Sequence, residues 1–237
     1  MAIAGSATQV SGMQAGVSSE MSVLAAGGLA LALGSVGVVA TSALYAISPS
    51  AVALPAQPFD LSLALSGAIA GARTMYAAGT IGIFADVVMA CGALLVAAEL
   101  ARRGRGVAAL GWTLMAMSII IFVFVDVIVA HLLGPLAAMK DGASAFAGFK
   151  RLFDALFLLG TAAFGAGAIL ALASELRASA PLVSRALALA GALIGTAAVL
   201  AATACFCGLP LEQGVGISVG LGAALFAVIG VTIARSA

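Results

Sequence analysis

The chain has 237 residues, of which 64% are hydrophobic and only 8% are charged. Ordinary globular domains carry about 25% charged residues, so this composition excludes a soluble globular protein and indicates a polytopic membrane protein. The formal net charge of +1 supplies no basic surface for nucleic acid, which we exclude as a partner; the lipid bilayer is the expected environment.

Apolar runs long enough to cross a bilayer, about 20 residues, recur along the chain. Residues 1–20 are mostly small and polar, without Lys or Arg, and we predict a flexible tail there rather than a signal peptide. Residues 21–237 form one predicted transmembrane domain. The fold class is therefore all-α, a six-helix transmembrane bundle. Its predicted spans cover residues 21–47, 77–100, 107–133, 152–176, 186–207 and 214–234.

Proline and glycine mark the breaks between these spans. Ser48-Pro49 ends the first span, and Gly134-Pro135 is expected to end the third. Residues 61–76 are apolar and suited to a helix, but the next span follows them at once. We therefore predict an interfacial or re-entrant helix over residues 61–76, within a long loop.

The basic residues favour one orientation in the membrane. The turns after the second and fourth spans and the C-terminal tail carry six arginines: Arg102, Arg103, Arg105, Arg177, Arg185 and Arg235. The opposite side carries four basic residues: Arg73, Lys140, Lys150 and Arg151. Because cytoplasmic loops are enriched in Lys and Arg, we expect both termini in the cytoplasm.

Ionisable residues inside the predicted spans are the strongest indication of function, because burying them in lipid is costly. Asp86 lies within the second span, Asp126 and His131 lie in the outer third of the third span, and Asp154 lies in the first turn of the fourth. In the predicted topology all four fall in the outer half of the bundle. We therefore predict a polar pocket with Asp126 at its centre.

Three basic residues on the same side are candidate counter-charges for this pocket: Arg73, Lys150 and Arg151. Lys150 and Arg151 precede Asp154 by four and three residues, so both can reach it if the helix starts early enough. For Asp154 with Lys150 and Arg151, an ion pair at the membrane boundary is the favoured interpretation.

The two central carboxylates have a functional and a structural interpretation. Asp86 and Asp126 can form a proton relay, an ion site or a polar substrate pocket, or they can simply hydrogen-bond and fix helix packing. Asp126 and His131 are separated by about 140° around a helix, so they do not clamp a metal without a bulge or kink. Carboxylate and imidazole suit several transition metals, but we assign no metal. No motif implies a cofactor.

Two pairs of small residues predict close helix packing. Gly191 and Gly195 lie four residues apart in the fifth span, and Gly216 and Gly220 do so in the sixth. Both pairs fit packing inside the bundle or contact with another subunit, and for the second pair, in a span without charged residues, packing is the favoured interpretation.

The order of the spans resembles a known family. The run Gly82–Gly92 (GIFADVVMACG) precedes a basic turn, a span ending near Asp126 follows, and Phe153–Gly160 (FDALFLLG) leads to a turn with Pro181. This pattern, over roughly residues 28–235, resembles six-span bacterial membrane proteins known as domain of unknown function 4386. The resemblance implies the architecture and the bacterial inner (cytoplasmic) membrane. The family has no established activity, so it implies no mechanism.

The expected function is that of a binding or accessory subunit. It either holds a lipid-like ligand or packs in a larger membrane assembly, with partner subunits or as a homo-oligomer. One alternative is a small proton-coupled transporter using Asp86 and Asp126. A further alternative is a membrane enzyme with an outer-leaflet metal or acid/base site. We lean away from an enzyme, since the chain has no Walker motif, nucleotide fingerprint or nucleophile elbow.

Overall fold

The structure, a computed structural model, describes residues 10–47 and 60–236, and only the backbone of residues 10–22. This part of the chain is helical, without strands. We number the helices α1 (Val10–Ala46), α2 (Leu61–Ala70), α3 (Ala72–Arg102), α4 (Gly106–Ala138), α5 (Ala143–Arg177), α6 (Arg185–Phe206) and α7 (Glu212–Ser236). All except α2 are long and apolar enough to span a membrane, α1 over Val23–Ala46. The predicted all-α, six-helix polytopic bundle is confirmed.

The six long helices form a ring in chain order. Each packs against the long helix before and after it, and α7 packs against α1 to close the ring. Glycines set the closest approaches. A Cβ atom at Gly34 of α1 would lie 2.5 Å from the Met89 nitrogen of α3, and one at Gly230 of α7 would lie 2.5 Å from the Ala32 nitrogen of α1. Only glycine lets these backbones come so close, as small residues do in membrane bundles.

The two ends of the ring differ. We call one the arginine-rich end; it holds Arg102, Arg103, Arg105, Arg177, Arg185 and Arg235. The other is the α2 end, where α2 packs against the end of α4 and the start of α5. Nearer the arginine-rich end, three aromatic side chains pack together inside the ring of helices. Trp112 and Phe164 both meet Phe226 edge to face, with ring centroids 5.9 and 5.1 Å apart.

The third span does not end at Gly134-Pro135, as predicted, but continues to Ala138. A proline inside an α-helix clashes with the carbonyl four residues earlier, here that of His131. The chain accommodates Pro135 by widening into a π-helical turn over Val129–Leu133 directly before it. The proline therefore bulges the helix without breaking it.

The predicted helix over residues 61–76 is divided at Gly71. α2 ends at Ala70, and residues 72–76 already belong to α3. The start of α5 also differs, since the helix begins at Ala143 and not at residue 152. Hydropathy does not indicate the first part of α5 as a span because it contains Lys150. One face of this part is nevertheless buried, and its Phe146 and Phe153 pack in a common hydrophobic core.

The first helix also begins earlier than predicted. α1 starts at Val10, so residues 10–20, predicted as part of a flexible tail, are helical. The rest of that predicted tail, residues 1–9, lies outside the described residues.

Candidate functional site

A cavity of about 640 Å³ lies inside the ring and is lined by all six long helices. Along α7 it runs from Glu212 to Phe226, which is about 21 Å at 1.5 Å per residue. Its lining is mainly apolar and includes five phenylalanines: Phe122, Phe153, Phe157, Phe164 and Phe226. Small-molecule sites are typically cavities of about 300–1,000 Å³ with a few convergent polar groups, so this cavity has the size of a ligand site.

Two carboxyl groups from adjacent helices meet at the cavity wall. Asp86 of α3 and Asp126 of α4 are only 4% and 5% exposed, and both line the cavity. Their side chains lie close enough to interact directly. A carboxylate only accepts hydrogen bonds, so a hydrogen bond between the two requires at least one proton on the pair.

A tyrosine completes this polar group from a third helix. The hydroxyl of Tyr45, near the end of α1, donates a hydrogen bond of 2.7 Å to Oδ1 of Asp126. Tyr45 also lines the cavity. We call Tyr45, Asp86 and Asp126 the carboxyl cluster. It joins α1, α3 and α4 at one place on the cavity wall.

A glycine makes room for the Asp126 carboxyl group. The carboxyl atoms lie where the Cβ atom of any other residue at Gly82 would be, and Gly82 itself lines the cavity. The backbone is close as well, since a Cβ at Gly79 would lie 2.6 Å from the Asp126 carbonyl oxygen. Gly82 precedes Asp86 by four residues and therefore shares its face of α3. One face of α3 thus supplies both the space for Asp126 and its carboxyl partner.

The cavity is acidic. Among the described residues that line it, three carry carboxyl groups, namely Asp86, Asp126 and Glu212, and none is Lys, Arg or His. Besides Tyr45, five lining side chains offer neutral polar groups: Thr41, Ser42, Thr161, Gln213 and Ser218. The wall therefore combines aromatic rings with acidic groups.

Of the four residues predicted to surround one pocket, the structure brings together Asp86 and Asp126 only. His131 is exposed and does not line the cavity; its ring meets that of Tyr76 edge to face, with centroids 5.6 Å apart. The π-helical turn does not bring it to Asp126. Asp154 forms an ion pair with Lys150, four residues earlier, and is also outside the lining.

The predicted counter-charges do not reach the carboxyl cluster. The Lys150 ammonium group pairs with Asp154 and lies 4.9 Å from the centroid of the Phe153 ring. This is the predicted ion pair, and it forms because α5 begins early enough. Arg73 and Arg151 are exposed, and neither lines the cavity.

The arginine-rich end treats its buried carboxylates differently. Glu99 of α3 and Glu175 of α5 are 3% and 2% exposed. Arg103 and Arg105 each contact one of them, with N–O distances of 2.7 Å, and Arg102 lies 3.6 Å from Glu99. These buried acids are neutralised by arginines of the short turn between α3 and α4.

The two glycine pairs predicted to pack helices differ. A Cβ at Gly195 would lie 2.8 Å from the Gly165 carbonyl oxygen, and one at Gly191 would lie 3.2 Å from Cδ2 of Leu225. At Gly216 and Gly220 no heavy atom lies within 4 Å of the corresponding position. Packing predicted for this second pair is therefore absent within the described chain, and its contact with another subunit stays a prediction.

Two site residues escaped the sequence analysis. Tyr45 is 81 residues from Asp126 in the chain, and an aromatic residue at the end of a span ordinarily indicates the membrane interface. Nothing in the sequence links the two. Gly82 left a weak indication, since it lies on the same helix face as Asp86.

A metal centre built from Asp86, Asp126 and His131 does not form. Within residues 10–47 and 60–236, no group of three or more His, Cys, Asp or Glu side chains is placed to hold a metal ion.

Comparison with protein-family models found no matching family, and comparisons with curated proteins and solved structures found no similar chain. The resemblance to the six-span family described above therefore stays a prediction.

Proposed function

We propose that this protein binds an elongated, mainly apolar small molecule in the central cavity, with the carboxyl cluster contacting its polar end. The cavity itself carries the proposal. It has the volume of a ligand site, lies within a bundle of membrane-spanning helices, and concentrates buried polar groups on one part of an apolar wall.

The position of the carboxyl cluster supports an elongated ligand. On α4 the cavity wall continues from Asp126 to Ile119, about 10 Å further towards the arginine-rich end. The wall there is apolar and ends near Phe226 and Trp112. A molecule whose polar end contacts Asp126 thus has space for an apolar body in the part of the cavity that extends towards the arginine-rich end.

Mass spectrometry of small molecules retained by the purified protein tests this proposal. We expect a bound compound that a cavity-filling substitution, Val219→Phe, displaces, because Val219 lines the cavity. Ile217→Phe is the matched control, since Ile217 lies on the same helix but is 61% exposed and outside the lining. Retention that is identical in wild type and Val219→Phe would contradict the proposal.

A second readout is available in the same samples. Trp112 is the single tryptophan and contacts Phe226, a lining residue, so a ligand deep in the cavity changes its emission. Depletion of the bound compound should shift Trp112 fluorescence in wild type and Ile217→Phe, but less in Val219→Phe.

The carboxyl pair favours a second candidate function, a proton-coupled transporter. Asp86 and Asp126 lie close enough to share a proton, and both line the space where a ligand would bind. In proteoliposomes, a pH gradient should then drive ligand uptake, and Asp126→Asn should abolish the coupling at equal reconstitution. Uptake that does not depend on the pH gradient would rule out proton coupling and leave ligand binding as the only proposed function.

We further propose that the protein lies in a bacterial inner membrane with the arginine-rich end in the cytoplasm, because positive residues favour that side. Both termini are then cytoplasmic, and the carboxyl cluster lies nearer the outer face. Reporter fusions in the turn at 102–105 should be active only for the cytoplasmic reporter; an extracytoplasmic signal would reverse this orientation.

The accessory role in a larger assembly also remains a proposal. Purification in mild detergent tests it, since a partner subunit would accompany the chain in stoichiometric amounts. An enzyme with an acid/base site is the further alternative, since a pair of carboxyl groups that shares one proton supplies both an acid and a base.

A further inference from the structure

We propose that the ligand is a lipophilic organic cation, an amine or quaternary ammonium compound with an apolar body, whose charge replaces a proton on the Asp86–Asp126 pair. This rests on the proposed function and names the chemistry of its ligand. Three features of the cavity lead to it, namely its buried acids, the lack of a basic side chain in its described lining and its aromatic rings.

The charge of the pair is the first step. With one proton, two hydrogen-bonded carboxyl groups carry one negative charge, buried at 4% and 5% exposure. An isolated charge at such a place is strongly unfavourable unless it is paired. At the other end of the bundle, Glu99 and Glu175 form ion pairs with arginines. The charge of the Asp86–Asp126 pair can instead be compensated by a second proton or by a cation that enters the cavity.

The groups that face the pair do not supply a compensating positive charge. α1 contributes the Tyr45 hydroxyl, and the acids of the pair come from α3 and α4. The charged pair of α5, Lys150 with Asp154, lies outside the lining, and the lining of α6 has no charged side chain. α7 adds Glu212, a further acid. Every charged side chain in the described lining is therefore an acid.

The aromatic rings suit a cation. Ammonium groups bind over aromatic faces within about 6 Å of the ring centroid, and quaternary ammonium ligands are recognised this way. Phe122 lies on α4, the helix that carries Asp126, and Phe157 lies on the adjacent α5; both line the cavity. The neighbouring Lys150 already places its ammonium group 4.9 Å from the Phe153 ring centroid. A cation contacting Asp126 would meet rings of the same kind.

The exchange conserves charge. Without a ligand, a second proton makes the Asp86–Asp126 pair neutral. When a cation binds, that proton leaves, and the singly protonated pair together with the cation is again neutral. One positive charge enters for each proton released. Tyr45 keeps its hydrogen bond to Asp126 in both states.

Binding in lipid nanodiscs tests the inference with three probes of one chain length, namely dodecyltrimethylammonium, dodecanol and dodecanoate. Binding to empty nanodiscs is subtracted, and equilibrium dialysis with Trp112 emission reports occupancy. We expect the cation to bind at least about tenfold more tightly than the alcohol, which corresponds to about 1.4 kcal/mol. The anion should bind most weakly.

A double substitution, Asp86→Asn with Asp126→Asn, removes both charges and keeps the size of the side chains. It should abolish the preference for the cation and leave dodecanol binding unchanged, which also shows that the variant is folded. Asp141→Asn is the matched control, because Asp141 is exposed and outside the lining; it should keep the preference.

The pH dependence of the wild type gives an independent measurement that needs no substitution. Cation affinity should fall as pH is lowered, by up to about tenfold per pH unit for exchange against one proton, while dodecanol affinity stays constant. Weakly buffered samples should release protons on addition of the cation, and not on addition of the alcohol.

The outcomes separate the two proposals. Equal binding of cation and alcohol, or tighter binding of dodecanoate, would overturn the cation inference and leave the cavity as a ligand site. Cation affinity that is independent of pH would overturn the proton exchange. No saturable binding of any of the three probes would count against the proposed function as well.

Discussion

The two halves of the ring bury acids in different ways. At the arginine-rich end, Glu99 and Glu175 are neutralised by arginines of the turn between α3 and α4, whose long side chains reach inward from that turn. Towards the α2 end, Asp86 and Asp126 have each other and Tyr45. The first half is also filled by aromatic side chains, whereas the second is hollow. One half therefore has the features of a structural base, and the other those of a binding site.

The largest expected effect comes from removing a cation at the arginine-rich end. Arg105→Met leaves Glu175 buried with only the backbone N–H of Leu182 as a described hydrogen-bond donor. Breaking a buried ion pair in this way costs about 3 kcal/mol in the free energy of unfolding. Unfolding in mixed micelles measures it. Arg177→Met, at an exposed arginine of the same end, should change stability by less than about 0.5 kcal/mol. Similar losses of stability in both variants would show that the buried Arg105–Glu175 ion pair contributes no more than an exposed arginine.

The next effect concerns helix approach. Gly34→Ala should lower the free energy of unfolding by about 2 kcal/mol, because the added methyl group would overlap the Met89 backbone and overpacking of this kind destabilises. Gly220→Ala is the control in open space, and it should gain about 0.5 kcal/mol from helix propensity. If Gly220→Ala also destabilised the protein, this glycine would contact a partner outside the described chain.

A substitution of opposite sign sharpens the comparison. Asp126→Asn should raise the free energy of unfolding at neutral pH by about 1 kcal/mol, because the pair without a ligand takes up protons to become neutral, whereas an amide of the same size needs none. Glu175→Gln, the matched change at the other end, should lower it, since Arg105 then loses its carboxylate. Loss of stability in Asp126→Asn would instead assign the carboxyl cluster a role in holding the helices together.

The smallest effect is local to α2. Backbone and side-chain hydrogen bonds from Leu63 and Ser62 hold the pKa of the Asp60 carboxyl below its ordinary value of 3.8. The lowered pKa means that this cap contributes fully above pH 3.8 and is lost as pH falls through the lowered value. Asp60→Ala should increase amide hydrogen exchange in the first turn of α2 at neutral pH, as caps protect helix starts.

The control for this prediction is Asp141→Ala, which changes another exposed acid outside any helix and should leave exchange in α2 unaltered. Equal exchange of α2 in wild type and Asp60→Ala would show that packing against α4 and α5 alone maintains the helix.

The span order and the depth of the acids were predictable, because lipid imposes length and apolarity on every crossing segment. Asp86 and Asp126 lie at similar depth on consecutive antiparallel spans, and depth was enough to bring them together. His131 and Asp154 share that depth but face elsewhere. Which way a side chain points depends on helix rotation, which a run of apolar residues on all sides does not specify.

Other features of the site depend on the closure of the ring. Tyr45 meets Asp126 only because α1 packs beside α3, and hydropathy does not choose neighbours. The cavity was invisible for a related reason. Phenylalanines that line it have the same hydropathy as those that face lipid, so composition does not separate an inner wall from an outer one.

The closing contact between α7 and α1 has a consequence for the synthesis of the protein. A helix that contacts only its neighbours in the chain can pack as soon as it is inserted, whereas one side of α1 has no partner until α7 is inserted. Until then the ring is open between α1 and the position of α7, and lipid can reach the carboxyl cluster through this gap. The nascent protein therefore completes its ring in a single late step, when the glycines of α1 meet those of α7.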